Sequence, residues 1–252
     1  MNRYGSDLTD SQWEIIKHFV DYKRKRDYDI RQVVNAMIYL VKTGCQWRYL
    51  PHHYPTWSVV RYYYDRWRSR GIFERITRAL RGQVRRKAGR KTSPSAAIID
   101  AQSVKSSFMG GPRRGFDNFK KVKGRKRHLI VDTMGLILAV IVHAAHEHES
   151  QTAMTLLEKI YKRVPRLRRI FADGAYRGDL IERVNERFGW LIDVVKGEGK
   201  GFQVLPKRWV VERTFAWFEG YRRLSKDYER LPENSETMVQ LAMIRLMINR
   251  IA

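Results

Sequence analysis

Apolar positions recur with a helical period through the first third of the chain and with a strand-like rhythm after it. Residues 8–82 read as helices. Thr9-Asp10-Ser11-Gln12 has the form of a capping box, and Leu8 and Trp13 can staple that start. Trp13, Ile16, Phe19 and Val20 then share one face. A second helix starts at Asp29-Ile30-Arg31-Gln32, carries Ile30, Val33, Val34, Met37, Ile38 and Val41 at helical spacing, and stops at Gly44. A third runs from about Thr56 to Ser69 and ends at Gly71, and Phe73, Ile76 and Leu80 mark a fourth. Short helices with tight turns predict a small bundle, akin to helix-turn-helix modules.

Beyond Ser95 the period changes. Ala96–Asp100, Arg127–Val131 and Leu136–Val142 are strand-like, the last two joined by the turn signal Asp132-Thr133-Met134-Gly135. Ala153, Leu156, Leu157 and Ile160 give a helix face, Arg169–Ala172 a strand, and Leu180, Ile181, Val184 and Phe188 a helix. Trp190–Val195 is a further strand. Pro206 can begin a helix carrying Val211, Phe215 and Phe218, and Met238, Leu241, Ile244, Ile248 and Ile251 form a closing one. The order β-β-β-α-β-α-β-α predicts an α/β domain with a mixed sheet behind a small all-α domain. The expected division is a helical domain over 1–84, a basic linker over 85–95 and an α/β domain over 96–252.

Charge narrows the partners. Fifty Lys and Arg stand against 26 Asp and Glu, a formal net charge of +24 with a pI near 10.4. Such an excess repels itself in a compact state and calls for a polyanion, nucleic acid first. A hydrophobic fraction of 43% with 12% aromatic residues excludes a disordered basic tail. One cysteine, Cys45, excludes an internal disulfide framework and a Cys-rich zinc module. The N-terminus has no apolar signal region, and the longest apolar run, Met134–Val142, is far short of the ~20 residues that span a bilayer. A cytoplasmic, nucleoid-associated protein without membrane contact is expected.

The basic residues gather in blocks. Arg61, Arg66 and Arg68 interleave with Trp57, Tyr62, Tyr63, Tyr64 and Trp67 on the third helix, where the rings serve the core or stack on bases. Lys105 and the glycine-rich segment carrying Lys120, Lys121, Lys123, Arg125, Lys126 and Arg127 form a second block. Lys207, Arg208, Arg213, Arg222 and Arg223 form a third. All are candidate DNA contacts, supplying salt-sensitive affinity for phosphates.

Acids at the ends of apolar strands point to chemistry. Asp100 follows Ala96-Ala97-Ile98-Ile99 and Asp173 follows Ile170-Phe171-Ala172. A buried ionised acid is costly unless paired or metal-bound. Two on neighbouring strands repel, which Mg²⁺ or Mn²⁺ would relieve. Glu212, flanked by Val211 and Phe215 and preceded by Arg208, is the third candidate. Each acid alone has an ordinary alternative as a turn cap or an ion-pair partner. His143, His146 and His148 with Glu147 and Glu149 have spacing that Zn²⁺ accepts, although Glu149 or Ser150 can equally cap a helix there.

Several segments together resemble a known family. They are Ile98-Ile99-Asp100-Ala101-Gln102-Ser103-Val104-Lys105, Lys123 through Thr133, Phe171-Ala172-Asp173-Gly174-Ala175-Tyr176 and Trp209 through Trp217. Tyr221-Arg222-Arg223-Leu224, Lys226-Asp227-Tyr228-Glu229 and the leading Trp47-Arg48-Tyr49-Leu50-Pro51 belong to the same set. They resemble bacterial insertion-sequence transposases of the DDE type, in the insertion-sequence-five group. The resemblance implies a ribonuclease H-like catalytic domain with Asp100, Asp173 and Glu212 as a triad holding two Mg²⁺ or Mn²⁺. It implies double-stranded DNA, both element ends and target, as substrate, and a homodimer or larger assembly on DNA. In related transposases a Tyr-x2-Arg-x3-Glu-x6-Lys pattern surrounds the glutamate. Here Arg208 and Glu212 fit it, while Leu205 and Glu219 occupy the tyrosine and lysine positions and Lys207, Arg222 and Arg223 are the available substitutes. The alternatives are a non-catalytic DNA-binding protein and a structure-specific nuclease on the same fold.

Overall fold

The computed structural model describes residues 4–20, 27–108, 110–194 and 207–252. They fold as two compact units. One comprises the chain up to Gly89 together with Phe218–Ser225 and Thr237–Ala252, and the other comprises Arg90–Trp217 and Lys226–Glu236. The Pro206 start and the Leu205 position lie outside the described residues.

The first unit is helical for the reasons its sequence gives. Helix α1 (Asp10–Ile16) opens with both hydrogen bonds of the capping box, Thr9 Oγ1 accepting from the Gln12 amide and the Gln12 side chain accepting from the Thr9 amide. Helix α2 (Ile30–Thr43) is capped by Asp29, whose carboxylate accepts from the Arg31 amide. It ends at Gly44 in the left-handed region, which only glycine enters cheaply. Helices α3 (Trp57–Ser69) and α4 (Ile72–Lys87) follow. Tyr63, Tyr64 and Trp67 are buried, with Tyr64 and Trp67 against Phe73, so these rings belong to the core rather than to stacked bases. Trp57 and Tyr62 stay exposed. Helix α4 runs through Lys87 and buries Arg85, so the basic stretch expected as linker begins as the last turn of a helix.

The second unit is built on a six-stranded mixed sheet: β1 (Ala96–Lys105), β2 (Gly115–Asp117), β3 (Val122–Asp132), β4 (Ile137–Ala144), β5 (Arg169–Ala172) and β6 (Leu191–Val194). β3 pairs antiparallel with β1 on one edge, and with β2 and then β4 on the other. β5 lies parallel to β1, and β6 parallel to β5. Three long antiparallel strands continued by two parallel ones form the mixed sheet of the ribonuclease H-like class. The sequence-based order missed only the short β2, and β1 and β3 run further than their apolar stretches. Helices α5 (Glu149–Glu158) and α6 (Asp179–Phe188) cover one face, where Ala97, Ile99, Ile130, Leu156, Leu157 and Val184 share a core. Helix α7 (Trp209–Glu219) follows, and α8 (Pro232–Ile251) closes the chain.

Two devices aim these elements. Asp132 accepts from the amides of Met134 and Leu136, closing the β3–β4 turn with Gly135 at φ 80°. Thr214 of α7 donates to the Gly135 carbonyl at 2.8 Å and Arg213 to the Met134 carbonyl at 3.1 Å. A Cβ at Gly135 would lie 2.7 Å from the Thr214 hydroxyl, so glycine is needed for this docking. At the other end of β3, Asp117 accepts from the Phe119 and Lys120 amides and closes the β2–β3 hairpin. Among the described residues no helix is long and apolar enough to cross a membrane.

Candidate active site

Asp100 sits inside β1, where the adjacent strands β3 and β5 bury it to 9% exposure. One carboxylate oxygen accepts from the Ala101 amide at 2.7 Å. Asp173 leaves the end of β5 and caps the short turn Gly174–Tyr176, accepting from the Ala175 amide at 2.8 Å. Parallel pairing of β5 with β1 sets the two acids side by side. Burial, reinforced by the Asp173 charge, pushes the Asp100 carboxyl up to about 6, against the Ala101 amide and Arg208, which favour the carboxylate.

Arg208, just before α7, is the shared counter-charge. Its Nη2 lies 3.7 Å from Asp100, 3.8 Å from Asp173 and 3.9 Å from Glu212. All three exceed good hydrogen-bond length, so one guanidinium balances three carboxylates without forking to any of them. Glu212 itself is exposed on α7, its side chain 57% accessible.

The tightest acidic group includes a residue that the sequence pattern offered as a helix cap. Ligand oxygens of Asp100, Glu149 and Asp173 all lie within 4.8 Å of one another, and Glu212 is not in that set. Glu149 opens α5 directly after β4 and is held by the Lys126 ammonium at 3.3 Å. The helix cap is instead His148, whose ring accepts from the Ser150 amide. The available signal was positional: α5 follows β4, which pairs with β3, itself the antiparallel neighbour of the Asp100 strand. Zinc chemistry at the histidines finds no support. His143 is buried next to the His128 ring, and no three-histidine group appears among the described residues.

The carboxylate group suits a hard divalent cation. Its donors are all oxygen. It draws in the loosely placed Arg208 guanidinium and the Lys126 ammonium on Glu149, and burial with the Asp173 charge still raises Asp100, so three clustered carboxylates face two cations. Beneath it, Tyr176 and His128 share a buried hydrogen bond of 2.7 Å. Burial first, then the neighbouring His143 and Lys126, lowers the His128 ring to about 3. A neutral ring accepting at Nε2 from the tyrosine hydroxyl satisfies the Tyr176 donor and leaves the buried Nδ1–H of His128 without a hydrogen-bond partner.

The predicted basic contacts separate. Arg125 is fully buried and spends every N–H of its guanidinium inside the protein. It ion-pairs with Asp227 at 3.1 Å and donates to the carbonyls of Pro112, Arg113, Glu229 and Arg230. Arg127 is buried with a bond to the Lys226 carbonyl, and Arg223 is buried with one to the Cys45 carbonyl. Lys126 is buried beside Glu149 and Asp117. These four are structural, because a side chain spent inside the fold cannot reach DNA. Arg213 is sandwiched by the rings of Trp209 and Trp217 at 4.6 and 5.0 Å. Arg61 and Arg68 share Asp65, and Arg66 donates to the Tyr62 hydroxyl. Lys105, Lys120, Lys121, Lys123, Lys207 and Arg222 are exposed. Glu219 is exposed as well, at the last residue of α7.

Residues 91–247 match the model of the "Transposase DDE domain" family, and residues 8–77 match "Putative transposase of IS4/5 family". The chain is 29% identical over 148 residues to a Burkholderia cepacia protein, "Putative transposase for insertion sequence element IS402", covering 55% of this chain and 68% of the relative. Among solved structures, the catalytic domain of the Mos1 mariner transposase aligns with a TM-score of 0.36 at 10% identity, over 71% of this chain and 89% of that one.

Proposed function

Because the chain belongs to the DDE-domain transposase family, whose model spans residues 91–247, we propose that it cuts phosphodiester bonds at the ends of its own insertion sequence and joins the freed ends to target DNA. The observation that carries this reading is the convergence of Asp100, Glu149 and Asp173 within 4.8 Å, with Arg208 reaching Glu212 as well.

Asp100, Asp173 and Glu149 would hold divalent Mg²⁺ or Mn²⁺, with Glu212 of α7 at the exposed side. When bound, the ion supplies Lewis-acid stabilisation of charge on the transferring phosphoryl group. The rest falls to the chain. β1 and β5 fix two carboxylates against each other before substrate arrives, and Lys126 fixes the third. Once the carboxylates have another counter-charge, the Arg208 guanidinium is released to pair with a phosphate oxygen. In the first step water attacks phosphorus and the P–O3′ bond breaks, leaving a 3′-hydroxyl. In the second that hydroxyl attacks a phosphodiester of the target, forming one ester as another breaks. Two ends must be held together, so a homodimer or larger assembly on DNA is expected. The exposed basic residues of the β2–β3 hairpin, with the half-buried arginines of α3, supply duplex affinity. The acting compartment is the cytoplasm, at the nucleoid.

The test is cleavage and strand transfer with a duplex carrying the element end. Asp173→Asn should lower both by at least about a hundredfold while end binding persists. Unimpaired cleavage by that variant would overturn the assignment. Cleavage of branched DNA without joining would favour a structure-specific nuclease, and metal-indifferent end binding without any cutting a non-catalytic binder.

A further inference from the structure

The hairpin beyond the acid site carries a second feature. A cavity of about 350 Å³ lies at the end of β1, lined by the cations of Lys105, Arg114, Lys121 and Lys123 and by the rings of Phe108 and Phe116. That volume is at the small end of ligand sites. No acid lines it. Phe108 is 96% exposed and Phe116 44%, two apolar rings set together among lysine, arginine and serine side chains.

Strand register relates this cavity to the acids. Along β1 side chains alternate faces, so Asp100, Gln102, Val104 and then Ser106 share one. Ser106 donates its amide to the Lys123 carbonyl, and Lys123 pairs with Phe116. Phe116 and Lys123 therefore stand on the Asp100 face of the sheet. Six residues of strand separate Asp100 from Ser106, about 20 Å. Between them that face is covered, because Arg127 and Arg125, paired with Gln102 and Val104, are buried under the Lys226–Arg230 segment, so a strand at about 3.4 Å per nucleotide needs more than six nucleotides to pass from the acids around that segment to the cavity.

We propose that this cavity holds one unpaired nucleotide of the DNA strand being processed, its base against Phe108 and Phe116 and its phosphates on the four cations. The inference rests on the DNA-acting reading above. Charge complementarity selects a polyanion, and exposed rings between cations select a base with an open π-face. A fully paired duplex would offer only phosphates and leave the rings unused. Gly124 keeps the framework tight, since a Cβ there would fall on the Val104 carbonyl oxygen between β1 and β3.

The test is equilibrium binding by fluorescence anisotropy in EDTA, with a blunt duplex and with the same duplex bearing an eight-nucleotide single-stranded extension. The parent should prefer the extended DNA by roughly 5- to 150-fold, the range expected of one stacked base. Phe108→Ala, at a position too exposed to affect folding, should abolish the preference and leave blunt-duplex affinity intact. Lys121→Gln should weaken the extended DNA and flatten its salt dependence. Retention of the preference in Phe108→Ala, or no preference in the parent, overturns the proposal. A parent that cuts element ends in Mg²⁺ yet ignores the extension sinks the cavity alone. A parent that prefers the extension yet cuts nothing sinks the enzyme reading alone.

Discussion

Asp100 makes metal affinity pH-dependent in a way its position quantifies. In the metal-free protein, burial and the Asp173 charge hold this carboxyl near 6, about two units above an ordinary aspartate. A cation needs the carboxylate form, so binding below that value must expel a proton. With a midpoint of 6, roughly one site in eleven is protonated at pH 7 and ten in eleven at pH 5. Apparent Mn²⁺ affinity should therefore fall about tenfold between those values, about 1.4 kcal/mol. Isothermal titration in two buffers of different ionisation enthalpy counts the proton directly, with about half a proton released per ion at pH 6. Arg208→Gln removes a cation that favours the carboxylate, so its midpoint should move upward. Affinity that stays flat from pH 5 to 8, or binding without proton release at pH 6, would refute the coupling between the acids.

Other predictions follow from the same interior. His128, lowered to about 3, stays neutral when folded but protonates near 6.5 when unfolded, so the stability it contributes is present above pH 6.5 and lost as pH falls toward 3. Between pH 7 and 5 this costs about 2 kcal/mol, partly offset by Asp100, whose raised value gives stability that is lost as pH rises through about 6. Urea melts of the metal-free protein should accordingly show an acid limb that flattens in His128→Asn, and an unchanged limb would reject the assignment. Tyr176→Phe leaves the His128 Nε2 without its partner and should cost about 1–3 kcal/mol in the same assay. Arg125→Ala strands Asp227 in the interior and should cost about 3–5 kcal/mol, whereas Lys123→Ala on the surface should stay within about 0.5 kcal/mol. Equal costs at these two positions would contradict the division of the basic residues. Thr9→Ala removes the α1 cap and should lower stability by about 0.5–2 kcal/mol.

The parts of the fold legible in the sequence are those dictated by local chemistry. The Thr9 capping box, the Asp29 cap and the Gly44 stop are each complete within a few residues, and the structure repeats them. The strand order was equally readable, because β1, β3 and β4 bury continuous apolar runs. β2 was not, since three residues of which one is a buried aspartate carry no apolar period. Strand lengths were underestimated for a related reason. β1 and β3 continue past their apolar segments through Gln102, Ser103, Arg125 and Lys126, where pairing between strands replaces hydrophobicity as the reason for extended backbone.

That same replacement explains why the acids were easier to read than the bases. An acid at the end of an apolar run is conspicuous, and Asp100 and Asp173 needed only the parallel pairing of β1 with β5 to become neighbours. Glu149 was obscured because its partners, Asp100 and Lys126, lie some 50 and 20 residues away in a chain whose local pattern says only helix start. A basic run has the opposite ambiguity. In Arg125-Lys126-Arg127 every residue is cationic, so sequence shows charge but not the strand alternation that decides which way each points. Paired between β1 and β4, Arg125 and Arg127 share one face and go under the Lys226–Arg230 segment, while Lys126 turns to the other face and Glu149. Burial of three cations is tolerable only because carbonyls and carboxylates receive their donors. The formal charge of +24 therefore overstates the number of cations presented at the surface. Among the basic residues that remain outside, Lys105 of β1 and Lys121 and Lys123 of the hairpin share their surface with the exposed Phe108 and Phe116, and those rings are what a duplex-only reading leaves unexplained.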